Sequence, residues 1–203
     1  MEFSRKVFVT GVSGAGKTTL AKHLSASTHK LYLSYDDLYN YHLSTTAEGM
    51  IEQPVSAHHA NSIEWEKWGT EQSDDQIDAH ILLGMASERV YELINKEGEY
   101  VIDAVPAANA PDLLKFDEYL KKNKDCSIIV VKCKQESWLN RPNQIISQHY
   151  PEKKEKFKKM YDDFYYGFID TWQSKWKNDM NFYFYNSDDS TFCNSKEELY
   201  DRT

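Results

Sequence analysis

The chain has 203 residues, 40% of them apolar and 14% aromatic, with a formal net charge of −8, and we expect one folded domain over residues 1–203. The acidic balance and the scarcity of arginine argue against a protein that tracks long nucleic acids by charge attraction, because phosphate contacts need clustered lysine and arginine. The three cysteines form no C-x-x-C pair, which predicts reduced thiols in a cytoplasmic protein. The longest apolar run, residues 128–131, is too short to span a bilayer.

The first predicted element is a short buried strand, Lys6–Thr10, which runs into a glycine-rich loop. Residues 11–19 read GVSGAGKTT and match G-x-x-x-x-G-K-[ST] at every defined position. Such a loop presents backbone N–H groups to a phosphate chain, and glycine permits an approach that side chains would obstruct. Lys17 would supply a positive charge, Thr18 a hydroxyl for Mg²⁺, and the next helix the positive end of its dipole. The predicted nucleotide-binding residues are Gly11, Ser13, Gly14, Ala15, Gly16, Lys17, Thr18 and Thr19.

A short amphipathic helix and a second strand at residues 31–34 follow, and Asp36 and Asp37 come directly after that strand. In an open α/β sheet the carboxyl ends of the strands form the edge at which ligands bind. In a phosphoryl transfer, a carboxylate can orient the hydroxyl that accepts the phosphate and can take its proton, and Asp36 is predicted to have this role. Asp37 is predicted to face Mg²⁺-bound water or to cap the next helix. An ordinary aspartate turn is the alternative for both residues.

Residues 41–75 mix polar and aromatic residues without a clean period, and we expect an excursion over the active-site edge rather than a second domain. Its adjacent histidines, His58 and His59, do not predict a metal site, because neighbours along a chain rarely point together. A long helix is predicted over 79–94, where apolar residues keep helical spacing up to the terminator Gly98.

The third predicted strand, 100–103, is an apolar run that ends in Asp103. A carboxylate in this position beside the phosphate loop would act on Mg²⁺ through water, since this ion gives up its hydration reluctantly. A plain strand-end aspartate is the alternative. Together with Thr18 and Asp37, Asp103 completes the predicted metal site.

The fourth and fifth strands are predicted at 127–133 and 181–185, with a helix around 113–120 and an amphipathic helix from residue 151 whose apolar face includes Tyr161, Phe164 and Phe168. Strands thus alternate with helices along the chain. This order predicts an α/β fold with a five-stranded, mostly parallel sheet and helices on both faces.

The chain resembles the P-loop kinases of small molecules, which include nucleoside monophosphate kinases, shikimate-type kinases and the uridine and nicotinamide riboside kinases. The resemblance is sharp at the phosphate loop. Residues 34–39, SYDDLY, are less specifically similar to the aspartate-aspartate-phenylalanine-tyrosine segment of nucleoside kinases. The resemblance implies a P-loop NTPase fold, ATP and Mg²⁺ as cofactors, and Asp36 as the residue that faces the acceptor hydroxyl.

The same resemblance implies a helical lid at about 137–165, in which Arg141 would stabilise the transferring phosphate. The arginine-rich lid of the uridine-kinase type is not reproduced. The lysines of 153–159 are predicted to be a solvated helix face, with direct phosphate contact as the alternative. Residues 186–188 lie where such kinases hold the adenine ring.

Three functions fit these residues. The first is an ATP- and Mg²⁺-dependent kinase that transfers the γ-phosphate to a hydroxyl of a small nucleoside- or nucleotide-like metabolite. The second is a kinase that acts on a hydroxyl of nucleic acid, at a 5′ end or a modified base, which the lysines favour and the net charge disfavours. The third is a nucleotide-dependent ATPase or switch. The acceptor, the oligomeric state and the choice between ATP and GTP are left open.

Overall fold

A computed structural model describes residues 2–47, 85–103, 110–140 and 154–203 of the chain. The strands in this part are β1 Lys6–Thr10, β2 Leu31–Ser34, β3 Tyr100–Asp103, β4 Cys126–Lys132, β5 Asn181–Asn186 and β6 Thr191–Cys193. They form one sheet in the order β2-β3-β1-β4-β5-β6. The pairs of β1 with β3, β1 with β4 and β4 with β5 are parallel, whereas β6 is antiparallel to β5. The predicted α/β fold with a mostly parallel sheet is confirmed, and β6 is an additional strand.

The register of the central strands brings two predicted site segments to the same edge. β4 is buried at every position, as expected for a strand covered on both faces. Val9 of β1 pairs with Asp103 of β3, and Thr10 pairs with Val130 of β4. The chain therefore leaves β1 and enters the phosphate loop beside the carboxylate that ends β3.

The helices in the described part are α1 Lys17–Thr28, α2 Tyr35–Ala47, α3 over residues 85–94, α4 Ala110–Lys122, α5 Gln135–Leu139, α6 Lys154–Asp162, α7 Asp170–Trp176 and α8 Lys196–Arg202. A π-helical segment, Asp163–Ile169, joins α6 to α7. α2 begins directly after β2 and extends into the segment 41–75, where the sequence shows no clean helical period. Most of the excursion at 41–75 and part of the lid at 137–165 lie outside the described residues.

The aromatic face of the helix from residue 154 differs from the prediction. Regular α-helical spacing would bury Phe164 and Phe168, but the buried positions of the π-helical segment are Tyr165 and Ile169. A π-helix has more residues in each turn than an α-helix, so a residue three positions further along turns away from the buried face while a residue four positions further along stays close to it. The π-helical segment thereby continues the row of buried side chains that starts at Tyr161.

The chain divides into two compact units. The first unit comprises Met1–Tyr32, Glu99–Val105 and Lys124–Thr203, and the second comprises Leu33–Gly98 and Pro106–Asn123. The first contains the phosphate loop and most of the sheet. The prediction of a single domain over 1–203 stays a prediction.

The second unit has an aromatic core of its own, centred on the α3 residue Tyr91. The Tyr91 ring lies 5.6 Å from that of Tyr35, 5.7 Å from that of Phe116 and 5.3 Å from that of Tyr119, measured between ring centres. Tyr39 stacks on Tyr35 at 6.0 Å. All five rings are buried, so α2, α3 and α4 share one core. None of the helices that the structure describes has the length and apolar character needed to cross a membrane.

Candidate nucleotide-binding site

The phosphate loop turns at its glycines. Gly14 and Gly16 have φ angles of 80° and 104°, in the left-handed region that glycine adopts without strain. Gly16 precedes α1 and has no side chain to cap the helix. The first turn of α1 therefore faces the loop as a helix N-terminus of the kind that binds phosphate.

Gly11 starts the loop in close contact with β4. A Cβ atom at this position would lie 2.4 Å from the carbonyl oxygen of Val131 and 3.4 Å from the hydroxyl of Tyr165. Because a carbon atom does not approach a backbone oxygen to 2.4 Å, the sheet leaves room only for glycine.

Lys17, predicted to meet the terminal phosphates, is nearly buried beside the loop. Its side chain extends back along the loop, where Nζ donates a hydrogen bond to the carbonyl oxygen of Val12 at 3.2 Å. Only 8% of the residue is exposed. The ammonium group of Lys17 therefore lies against the backbone of the loop that the sequence predicts to bind the phosphates.

Thr18 and Asp103, predicted to share a metal ion, are in direct contact. The Thr18 hydroxyl donates a hydrogen bond to Oδ2 of Asp103 at 2.5 Å, and the hydroxyl of Tyr32 donates to the same oxygen at 3.3 Å. Hydroxyl and carboxylate oxygens are the hard ligands that Mg²⁺ accepts, usually with several waters retained. These residues therefore fit a Mg²⁺ ion held by few protein ligands. Among the described residues there is no group of three or more His, Cys, Asp or Glu that could hold a metal.

Three side chains from the last third of the chain bind the backbone of the phosphate loop, and we call them the anchor residues: Trp138, Tyr165 and Ser187. Nε1 of Trp138 donates to the Ser13 carbonyl at 2.7 Å, and Oγ of Ser187 donates to the Ala15 carbonyl at 2.6 Å. The hydroxyl of Tyr165 donates to the Val131 carbonyl at 2.6 Å and accepts the more distant Val12 N–H at 3.4 Å. Sequence analysis missed all three contacts.

Tyr165 is one of four tyrosines whose rings lie close to the buried Lys132 side chain. Nζ of Lys132, at the end of β4, lies 5.1 to 5.6 Å from the ring centres of Tyr161, Tyr165, Tyr166 and Tyr200. Burial raises the pKa of Tyr165 well above its usual range and lowers the pKa of Lys132. Tyr165 is therefore a neutral hydrogen-bond donor in the folded protein.

The turn after β5, where the resemblance expects the adenine ring, packs against the end of β4. The Ser187 N–H donates to the Lys132 carbonyl at 2.9 Å, and a carboxylate oxygen of Asp188 accepts from the Lys134 N–H at 2.7 Å. Since Ser187 also binds Ala15, the turn is held directly beside the phosphate loop. A role of this turn in holding the adenine ring stays a prediction.

Asp36 and Asp37 belong to the second unit, where both carboxylates lie exposed in the first turn of α2. Ser34 Oγ accepts the Asp37 N–H at 3.3 Å, so Ser34 rather than Asp37 caps this helix. Acidic residues also stabilise a helix N-terminus, which is the structural alternative to a catalytic role. The predicted roles of Asp36 and Asp37 stay predictions.

Arg141 lies outside the described residues, and its predicted role is not tested. The lysines of the predicted lid can be followed in part. Lys158 pairs with Glu155 at 2.8 Å and Lys159 pairs with Asp163 at 2.5 Å, both on the exposed side of the helix. These ion pairs favour a solvated helix face for the two lysines.

The site has the features of a P-loop nucleotide-binding fold. Glycines shape the turn after β1, a lysine side chain lies along that turn, and a threonine hydroxyl is hydrogen-bonded to the carboxylate that ends β3. The chain belongs to the AAA domain family AAA_18, whose family model matches residues 7–158. No curated protein sequence matches the chain.

Several solved structures are similar in fold to this chain. The shikimate kinase from Acinetobacter baumannii, solved with shikimate, is 17% identical over 79% of this chain and 76% of that chain, with a TM-score of 0.44. The shikimate kinase from Bacteroides thetaiotaomicron is 14% identical over 97% of this chain and 93% of that chain, with a TM-score of 0.45. The shikimate kinase from Aquifex aeolicus is 19% identical over 76% and 81%, with a TM-score of 0.36.

Proposed function

We propose that the protein is an ATP- and Mg²⁺-dependent kinase that transfers the γ-phosphate to a hydroxyl of a small metabolite, most simply a nucleoside- or nucleotide-like molecule. The observation that carries the proposal is the grouping of Lys17, Thr18 and Asp103 around the phosphate loop at the carboxyl edge of the sheet. This grouping offers a positive charge and metal-binding oxygens where a nucleoside triphosphate would place its terminal phosphates.

The residues of the first unit have distinct parts in this proposal. The loop backbone and the N-terminus of α1 bind the phosphate chain, and the ammonium of Lys17 moves from the Val12 carbonyl to the terminal phosphates. Thr18 and Asp103 would hold Mg²⁺, which when bound supplies positive charge against the phosphate oxygens. Because charge stabilisation and positioning account for most phosphoryl-transfer catalysis, these parts form the donor half of a kinase site.

The acceptor half rests on Asp36. A hydroxyl attacks the γ-phosphate as its proton passes to a base, and the oxygen that bridges the β- and γ-phosphates leaves with ADP. Asp36 is the proposed base because it follows β2 at the carboxyl end of that strand. Arg141 is proposed to stabilise the transferring phosphate, and Asp37 to face water bound to Mg²⁺.

The experiment is a screen for acceptor-dependent ADP release. Purified protein is mixed with ATP and Mg²⁺ and with pools of nucleosides, nucleotides, sugars and hydroxy acids, and ADP is measured by a coupled assay. We expect ADP release to rise with one pool and to be lost in Lys17→Ala, while Lys177→Ala, at an exposed lysine of the same unit, keeps it. Failure of every pool to raise ADP release above the rate without acceptor would contradict the kinase.

A second candidate, an ATPase or nucleotide-dependent switch, is favoured by the match to an AAA domain family. Such a protein would release ADP and inorganic phosphate in the absence of any hydroxyl acceptor. Transfer to nucleic acid is an outcome of the same screen if single-stranded and duplex oligonucleotides with 5′-hydroxyl ends are added as a further pool. The ion pairs of Lys158 and Lys159 with carboxylates give that outcome little support.

A further inference from the structure

The phosphate loop is held by the three anchor residues, which come from much later in the chain. Trp138, Tyr165 and Ser187 come from α5, the π-helical segment and the turn after β5. They lie 125, 153 and 172 residues from their partners in the loop along the chain. Trp138 and Tyr165 are fully buried, so the indole N–H and the phenol hydroxyl are shielded from water.

Two of the anchor bonds determine where loop amides point. The described chain has no cis peptide bonds, and in a trans peptide the C=O of one residue and the N–H of the next point in opposite directions. Trp138 binds the carbonyl of Ser13, so it directs the N–H of Gly14 to the other side of the loop. Ser187 binds the carbonyl of Ala15 and directs the N–H of Gly16 in the same manner.

The third anchor fixes the start of the loop. The Tyr165 hydroxyl joins the Val12 N–H to the Val131 carbonyl, which is the same oxygen that Gly11 approaches. The loop is thereby fastened to β4 at the point where it leaves β1. A loop fastened in this way has its amides in place before an anion arrives, which lowers the cost of ordering them on binding.

We propose that Trp138, Tyr165 and Ser187 are positioning residues that orient the amides of the phosphate loop toward the phosphates of a nucleotide. The inference rests on the proposed function only in requiring that the loop binds a nucleoside triphosphate or diphosphate. It does not depend on which acceptor takes the phosphate.

The test compares four single variants of the full chain. Trp138→Phe, Tyr165→Phe and Ser187→Ala each remove one donor to the loop or to its support. Tyr161→Phe is the matched control, because the Tyr161 hydroxyl is buried one turn before Tyr165 and donates to the Cys133 carbonyl instead of the loop. The Kd values of ATP and ADP are measured by calorimetry, and the midpoint of thermal unfolding is measured for the same samples without nucleotide.

We expect each anchor variant to raise the Kd of ATP and ADP by roughly three- to tenfold, the effect of one lost hydrogen bond. The control should lower the unfolding midpoint about as much as Tyr165→Phe and leave Kd unchanged. Hydrogen exchange at the amides of Gly14 and Gly16 should be faster in Trp138→Phe and Ser187→Ala.

Unchanged Kd values in all three anchor variants would overturn the inference. A rise in Kd in the Tyr161→Phe control equal to that of the anchor variants would also overturn it, because loss of stability alone would then explain the effect. Wild-type protein that binds no nucleotide contradicts both this inference and the proposed kinase. Wild-type protein that binds ATP but phosphorylates no acceptor contradicts the kinase alone, and the effect of the anchor variants on Kd still decides the inference.

Discussion

The contact between Gly11 and β4 leads to a prediction with an internal control. In Gly11→Ala the new methyl group would lie 2.4 Å from the Val131 oxygen, whereas ordinary contacts of a Cβ atom begin near 3.4 Å. The loop must therefore move away from β4 by about 1 Å, or β4 must yield. Overpacking of this kind costs about 1–3 kcal/mol, which lowers the melting temperature of a chain of this size by roughly 2–12 °C.

A displacement of about 1 Å also moves the amides that bind phosphate, and misplacements of this size cost up to about a hundredfold in catalytic efficiency. Gly167→Ala is the control, because a methyl group at Gly167 meets no atom within 4 Å. There we expect a gain of about 0.5–1 kcal/mol, since alanine is a better helix former than glycine, with nucleotide affinity unchanged.

The assay measures thermal unfolding and the Kd of ATP for both variants beside the wild type. We expect a lower melting temperature and at least a tenfold higher Kd in Gly11→Ala, and a slightly higher melting temperature with wild-type Kd in Gly167→Ala. A Gly11→Ala protein that melts and binds ATP like the wild type would refute the close packing of the loop on Val131.

Three further predictions concern carboxylates. Asp103→Asn keeps a partner for the Thr18 hydroxyl but removes the negative charge. We therefore expect the rate of ATP turnover to fall at least about tenfold and to need a higher Mg²⁺ concentration, measured as initial rates over a range of Mg²⁺ concentrations. An unchanged Mg²⁺ dependence would contradict the metal site. Asp36→Asn should lower kcat by about 10²- to 10⁴-fold with little change in the Kd of ATP, whereas Asp37→Asn should affect kcat less, and equal effects would argue against Asp36 as the base. A hydrogen bond from the Thr191 hydroxyl holds the pKa of Asp189 below its usual value of 3.8. Wild-type protein should therefore be more stable than Asp189→Asn above about pH 4, with the difference lost as the pH falls through the lowered pKa, measured by urea unfolding.

The parts of the fold that the sequence predicted follow from local patterns. The strand before the phosphate loop and the apolar run of β4 are short buried segments between turn residues, and both are strands in the structure. Thr18 and Asp103, which the sequence assigns to one Mg²⁺ ion, lie in hydrogen-bond contact, because the motif places the threonine at the start of a helix and the apolar strand ends in the aspartate. Ser195 also caps α8 through the Glu198 N–H, and the S-x-x-E spacing of these two residues is a local sequence signal of such a cap.

The parts that were missed depend on contacts far apart in the chain. α2 has no clear apolar stripe in its sequence, and it buries Tyr35 against the Tyr91 ring of α3 while Tyr39 stacks on Tyr35. β6 is a three-residue strand that exists by pairing with β5. The helical spacing of apolar residues in the sequence does not show that the π-helical segment buries Tyr165. It also does not show that the Tyr165 hydroxyl contacts the phosphate loop, which lies 153 residues earlier in the chain.

The measurement that tests the central claim most directly is the fate of a labelled γ-phosphate. Wild-type protein is incubated with γ-labelled ATP, Mg²⁺ and the acceptor pool that raises ADP release, and the products are separated and identified by mass. The account predicts that the label moves into an organic acceptor, that transfer needs Lys17, and that little inorganic phosphate forms. Label found only in inorganic phosphate, at a rate that no acceptor changes, would contradict the kinase and would favour an ATPase.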